Sequence, residues 1–260
     1  MIEMPSSDRK FQHIKGSEKS PARNRNSNSE NPLPSIYMTP SPNRTLVQCC
    51  IERTQESALS PTVSVRYTFK YQVHKGKEIT VMVAEKQLGS KYYIFDCSRI
   101  GFDVVGEMKF NKKAGNYIGK LKKDPQDRAL YILHDANVDS QELVAISYDV
   151  PSLITQWRNG QPPRKIQVVV NECKERDVSN TQQSIKTKMK ATLKTRVSTE
   201  SDLHLLRSKE PIYEGGQYRL NFGGRVSVAS VKNMQIVDGL HDLVFQFGKV
   251  GHDKFHLDYK

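Results

Sequence analysis

The chain has 260 residues, 37% of them hydrophobic, which is enough for one large domain and a tail; no uncharged apolar run reaches membrane-spanning length, so membrane contact is expected to be peripheral. Forty Lys and Arg against 28 Asp and Glu leave a net charge of +12, which favours anionic partners (lipid headgroups, nucleic acid or acidic proteins) without choosing among them. The start Met1-Ile2-Glu3-Met4-Pro5 lacks the apolar stretch of a signal peptide, and Cys49, Cys50, Cys97 and Cys173 have neither metal-ligand spacing nor a disulfide framework, so a reducing intracellular compartment and no metal or other cofactor are expected.

Residues 1–34 are rich in Ser and Asn, carry Pro21, Pro32 and Pro34, and have little to bury. They read as a disordered polar and basic tail, with Arg9-Lys10, Arg23 and Arg25 too interspersed with acids to form a dense cluster. From Val65 the pattern turns to β. Val65, Tyr67, Phe69, Tyr71 and Val73 alternate with Arg66, Thr68, Lys70 and Gln72, which predicts one buried and one wet face. His74-Lys75-Gly76-Lys77 supplies the glycine of a hairpin turn, and Ile79–Val83 returns as the partner strand. Short β runs recur at Tyr92–Phe95, Ala129–Leu133, Leu143–Tyr148, Ile166–Val170, Tyr218–Phe222, Met234–Val237, Leu243–Phe247 and Phe255–Tyr259. Closely spaced strands with Gly, Asn and Asp between them predict an all-β sandwich or closed barrel.

Two stretches concentrate positive charge. In Asn116-Tyr117-Ile118-Gly119-Lys120-Leu121-Lys122-Lys123, strand geometry puts Lys120 and Lys122 on one face, where neighbouring ammonium groups repel unless water or an anion separates them. Residues 182–209 hold seven Lys or Arg against Glu200 and Asp202. The alternation of Lys186, Lys188 and Lys190 with Thr187 and Met189 predicts either a strand with three ammoniums on one face or a loop.

The octet 116–123 resembles the Tubby family's strand Ser-Tyr-Ile-Gly-Lys-Leu-Arg-Ser. Further matches follow in order: Arg44-Thr45 with Cys49-Cys50-Ile51, Pro61-Thr62, Gln141-Glu142-Leu143, Pro163-Arg164-Lys165, Leu220-Asn221-Phe222-Gly223-Gly224-Arg225-Val226, Ala229-Ser230-Val231-Lys232-Asn233, and Phe247-Gly248-Lys249-Val250 through to Leu257-Asp258-Tyr259. The resemblance covers residues 35–260. It implies a closed antiparallel barrel of about twelve strands, threaded in the family by a hydrophobic C-terminal helix that fills a lumen too wide for the barrel's own side chains.

The resemblance also implies a monomeric, non-catalytic module that binds phosphatidylinositol 4,5-bisphosphate through Lys120 and Lys122. Its expected role is a membrane-tethered adaptor in protein trafficking, delivering receptor cargo to the ciliary membrane, with a cytoplasmic location peripheral to the plasma or ciliary membrane and the nucleus as the alternative. The departures are specific. Lys122 stands for the family's Arg, Tyr92 for its Asn, and Ser140 for a second Arg, so the charge at the site is reduced and the planar guanidinium fork is lost. The sequence stops at Asp258-Tyr259-Lys260, where the family continues into its central helix, so the lumen is expected to be filled by another segment or the barrel to be marginally stable.

Two other functions compete with this one. His134-Asp135, His241-Asp242 and His252-Asp253 resemble fragments of hydrolase metal sites, but they fall at strand ends and turns, where Asp is a turn former, and no phosphate loop or nucleophile elbow accompanies them. The charge of +12 suits nucleic acid, and transcription regulation is the alternative reading. Against it, the sequence offers no zinc-finger, helix-turn-helix or RNP pattern and no exposed stacking ladder beside the single Trp157.

Overall fold

The computed structural model describes residues 46–55, 65–72, 78–98, 110, 112–113, 115–137, 140–149, 164–171, 185–198 and 202–260. The tail expected over residues 1–34 and the turn expected at His74–Lys77 lie outside these residues. Nine strands run as an up-and-down meander: β1 (Val47–Gln55), β2 (Val65–Gln72), β3 (Glu78–Gln87), β4 (Lys91–Asp96), β5 (Tyr117–Lys123), β6 (Leu130–Asp135), β7 (Glu142–Asp149), β8 (Lys165–Asn171) and β9 (Leu203–Ser208). The chain then leaves for a two-stranded sheet, β10 (Ile212–Glu214) with β11 (Gln217–Arg219), and returns as β12 (Met234–Val237), β13 (Leu243–Gly251) and β14 (Lys254–Tyr259). β12 pairs with β9, and β14 pairs with β1 from Val47 opposite Tyr259 to Glu52 opposite Lys254, which closes a twelve-stranded antiparallel barrel. The expected fold class is the observed one.

Strand alternation divides the side chains between lumen and outside. A cavity of about 550 Å³ is lined by Ile51, Tyr67, Ala84, Tyr92, Ile94, Leu121, Tyr131, Ile146 and Tyr148, with Arg128 and Arg164. Consecutive strands β1 to β7 can share one cavity only from inside, so these residues mark the lumen face. Most of the fully buried apolar residues lie on the opposite face. Val83 and Cys97 pack there with Phe110, and Leu130, Ile132, Ala145, Val169 and Leu203 pack with Met189.

The alternation expected along β2 is correspondingly blurred. Val65 is buried, but every residue from Arg66 to Gln72 is only half-buried, because the outward cations are covered as well. Arg66 lies 5.0 Å from the Phe110 ring centre and 2.7 Å from Glu85, and Lys70 lies 2.6 Å from Glu52.

Met189 belongs to α1 (Ile185–Thr195), a helix packed outside β7, β8 and β9 where the sequence suggested a strand or a loop. A period of two is the wrong one for this stretch. At helical spacing Met189, Thr192 and Leu193 form one stripe against the sheet, while Lys186 and Lys190, four residues apart, both reach Asp124 at 2.7 and 3.2 Å. The Asp124 carboxylate is buried and also accepts the N–H groups of Gln126 (2.9 Å) and Asp127 (3.1 Å). Burial alone would raise its pKa, but Lys186, the two N–H donors and Lys190 outweigh it and hold the group well below the usual carboxylate range.

The segment 220–233 is fastened to the outside of the closing strands. Gly223 and Gly224, with φ of 58° and 79°, turn the chain so that Arg225 grips Asp258 through Nε (2.9 Å) and a terminal nitrogen (2.6 Å). Gln246 donates to the same carboxylate at 2.7 Å, and Gln235 donates to Gln246 at 3.2 Å and to the Asn221 carbonyl at 2.8 Å. A side chain on Gly248 would overlap Val226, so the segment lies flat on β13. The motif Leu220–Val226 is therefore a structural clasp.

Candidate anion-binding site

The outer face of β5 carries the site. Gly119 has no room for a Cβ, which would overlap the carbonyl oxygen of His134, so β5 and β6 approach closely there. Beyond it, Lys120 lies opposite Tyr93 of β4 and His134 of β6, and Lys122 lies opposite Lys91 and Ile132. Like charges directly opposite each other in a sheet are destabilising, so the Lys91–Lys122 pair is a cost that packing does not explain.

A fourth ammonium joins from the segment before β5. Lys112 Nζ lies 4.9 Å from the ring centre of Tyr93 and 5.9 Å from that of Tyr117, and Lys91 Nζ lies 5.9 Å from Tyr93. The two rings meet edge to face at 5.6 Å, a platform whose π faces hold the lysines in place. None of the four lysines is ion-paired with a described residue. Partial burial, followed by repulsion from Lys112, Lys122 and Lys91, lowers the Lys120 pKa, with Asp135 only partly opposing.

The β6–β7 turn supplies the rest. Lys120 Nζ donates to Ser140 Oγ at 2.7 Å, and Ser140 sits at φ 47°. The Asp135 carboxylate is committed to the Gln141 N–H (2.8 Å) and the Asn137 amide, which shape the turn. His134 is buried and donates from Nδ1 to the Ser140 carbonyl at 3.2 Å, while its Nε2 has no hydrogen-bond partner among the described residues. Burial holds its pKa below the ordinary histidine value; the Ser140 bond opposes this and the charges of Lys120 and Lys122 add to it, so the ring is neutral at neutral pH.

Lys120 and Lys122 thus share a face, as strand alternation predicts, and Ser140 meets Lys120. Tyr92 does not. It lines the lumen opposite Leu121, so the family's Asn position cannot act through Tyr92 on the lysines; the neighbour that faces them is Lys91. A one-residue shift in carrying over the motif moves the side chain across the sheet. Lys91 was legible from parity, since it shares a strand face with Tyr93. Lys112 was not, because only the folded chain brings it over the tyrosines.

The histidine–aspartate pairs serve turns. Asp238 accepts the N–H groups of Leu240 and Asp242, both at 2.9 Å, and His241 sits at φ 65° within that turn. Asp253 pairs with Arg53 at 3.1 Å beside the exposed His252. Among the described residues no group of three His, Cys, Asp or Glu is placed to hold a metal. Burial pushes the Cys49 and Cys50 thiols up to about 12 and Cys97 up to about 11, so all three stay protonated.

The model of the Tub family matches residues 37–260. King tubby of Drosophila virilis is 27% identical over 235 residues, covering 86% of this chain and 49% of the relative. Tubby-related protein 2 of Homo sapiens is 32% identical over 166 residues, covering 62% of this chain and 31% of the relative. King tubby of Drosophila melanogaster is 26% identical over 235 residues, with 86% and 48% covered. The chain spans about half the length of the king tubby relatives and about a third of the human one.

Proposed function

Because this chain belongs to the Tub family and gathers four lysines on one outer barrel face, we propose that it is a non-catalytic module that binds phosphatidylinositol 4,5-bisphosphate at a membrane surface. The observation that carries the reading is the juxtaposition of Lys91 with Lys122, flanked by Lys120 and Lys112: cations held together at a cost to the sheet, which a polyanion would relieve. At roughly 1 kcal/mol per basic residue near an anionic leaflet, four lysines supply about 4 kcal/mol, or close to a thousandfold in partition, where the two read from the sequence supply about half that. Ammonium groups are point charges, so the site reads charge density and spacing more than the orientation of each phosphate. Tethered in this way, the barrel serves as a peripheral adaptor that carries membrane-receptor cargo in trafficking, including to the ciliary membrane.

Co-sedimentation with phosphatidylcholine vesicles containing the bisphosphate tests this. Lys120→Ala with Lys122→Ala is expected to remove most binding while leaving the thermal melt no lower than that of the wild type, because partly exposed lysines contribute little to stability and their removal relieves like-charge repulsion. Phosphatidylserine vesicles of equal charge are expected to bind the wild type more weakly. Unchanged sedimentation of the double variant would defeat the assignment. The net charge of +12 also supports a nucleic-acid reading, which would gain from duplex binding that falls log-linearly with salt and ignores the double substitution.

A further inference from the structure

Leu88, in the turn between β3 and β4, is 90% exposed, more than the other large hydrophobics among the described residues. Turn positions suit Gly, Asn, Asp and Ser, and the conformational work here is done by Gly89 at φ 75°, so Leu88 contributes nothing visible to the turn or to the core. Its place in the fold gives it another use. The turn is held against β5 by the Lys123 N–H, which donates to the Ser90 carbonyl at 3.2 Å, and it leads directly into Lys91, opposite Lys122.

The same end of the barrel is cationic. Lys86 precedes the turn, Lys123 ends β5, and Arg128 and Arg164 stand exposed on the neighbouring β5–β6 and β7–β8 connections. Among the described residues Asp127, Asp149 and Glu210 are the exposed acids there; the Asp127 carboxylate is engaged by the Ala129 N–H at 2.8 Å and Glu210 by Lys165 at 2.6 Å. An exposed aliphatic tip within a ring of basic side chains is complementary to an anionic bilayer, where charge meets phosphate and the apolar group passes beneath it.

We propose that Leu88 inserts into the acyl boundary of an anionic bilayer, so that the barrel docks end-on through its β3–β4 turn. This rests on the phosphoinositide reading and adds to it an orientation and a second contact. Strand rise of about 3.3 Å per residue puts the Lys91–Lys122 level within about 10 Å of the turn tip and Lys120 about 7 Å beyond. A headgroup standing out from the surface would therefore lie along the outer face of β5 while Leu88 sits below the phosphates.

The test uses the full 260-residue chain with two probes: phosphatidylcholine vesicles containing phosphatidylinositol 4,5-bisphosphate, and the soluble headgroup inositol 1,4,5-trisphosphate. Leu88→Asp is expected to weaken vesicle binding roughly tenfold or more, the scale of losing one buried leucine, and to leave trisphosphate binding unchanged. Leu88→Trp is expected to keep vesicle binding and to add an emission that shifts to the blue and is quenched by brominated acyl chains. Wild-type vesicle affinity in Leu88→Asp, or an added tryptophan emission untouched by brominated lipid, would overturn the insertion while leaving the headgroup site standing. Trisphosphate binding that survives Lys120→Ala with Lys122→Ala would instead overturn the headgroup site, and the Leu88→Asp vesicle result would still decide insertion.

Discussion

His134 shows how one residue can record the electrostatics of the whole patch. It sits beneath the lysines, uses Nδ1 to hold the β6–β7 turn through Ser140, and is kept neutral chiefly by burial. Its folded pKa is depressed below the unfolded value of roughly 6.5, so between the two values the unfolded chain binds more protons and stability rises with pH. The contribution is therefore complete above about pH 6.5 and is lost as pH falls toward the folded pKa. Urea midpoints measured from pH 7.5 down to 5 should fall more steeply for the wild type than for His134→Gln, which has no titrating ring. Identical slopes would mean that the ring is as easily protonated in the fold as in the open chain. At this scale the sequence was half legible. Lys120 and Lys122 follow from alternation, whereas Tyr92 went to the wrong side of the sheet because a motif match has no parity of its own, and Lys112 reaches the site through a contact no local pattern encodes.

The strands announced themselves because aromatic and β-branched residues cluster between turn formers, and most predicted runs fall within observed strands. The helix α1 did not. Its lysines alternate with small and apolar residues over 186–190, which mimics a strand, and the signal that separates the two readings is the partner: Asp124 is about sixty positions earlier and collects Lys186 and Lys190 only at helical spacing. Breaking that arrangement should release the helix before the barrel. Asp124→Asn keeps an acceptor for the Gln126 and Asp127 N–H groups but leaves two ammoniums without their buried counter-charge, and is expected to destabilise the fold by about 2–4 kcal/mol. Hydrogen exchange should show residues 185–195 losing protection first, and equal loss across β6 to β9 would show that helix and sheet open as one unit.

For the molecule as a whole, the turn spacing limited the fold to a sandwich or a barrel, and the family resemblance chose the barrel. What neither foretold is how burial is distributed: the tightest apolar packing is on the outer face, under α1 and around Phe110, while the lumen retains a cavity of about 550 Å³ edged with tyrosines. Such a chamber should take up an apolar fluorophore in the native state, and Ala84→Phe, which fills part of it, should reduce the fluorescence and raise stability by roughly 1 kcal/mol. No native-state dye signal would mean that the chamber is closed to solutes.

The pairing of β1 with β14 has a consequence in time. Val47 and Tyr259 are neighbours in the sheet although nearly the whole domain separates them along the chain. At roughly 5–20 residues per second of synthesis, β1 waits on the order of 10–40 s for its partner to emerge from the ribosome. Throughout that interval the growing chain presents unpaired edges, first β1 and then also β13. Sealing waits on β14, the last of the barrel strands to be made, and synthesis interrupted before it would leave an open ribbon prone to edge-to-edge association.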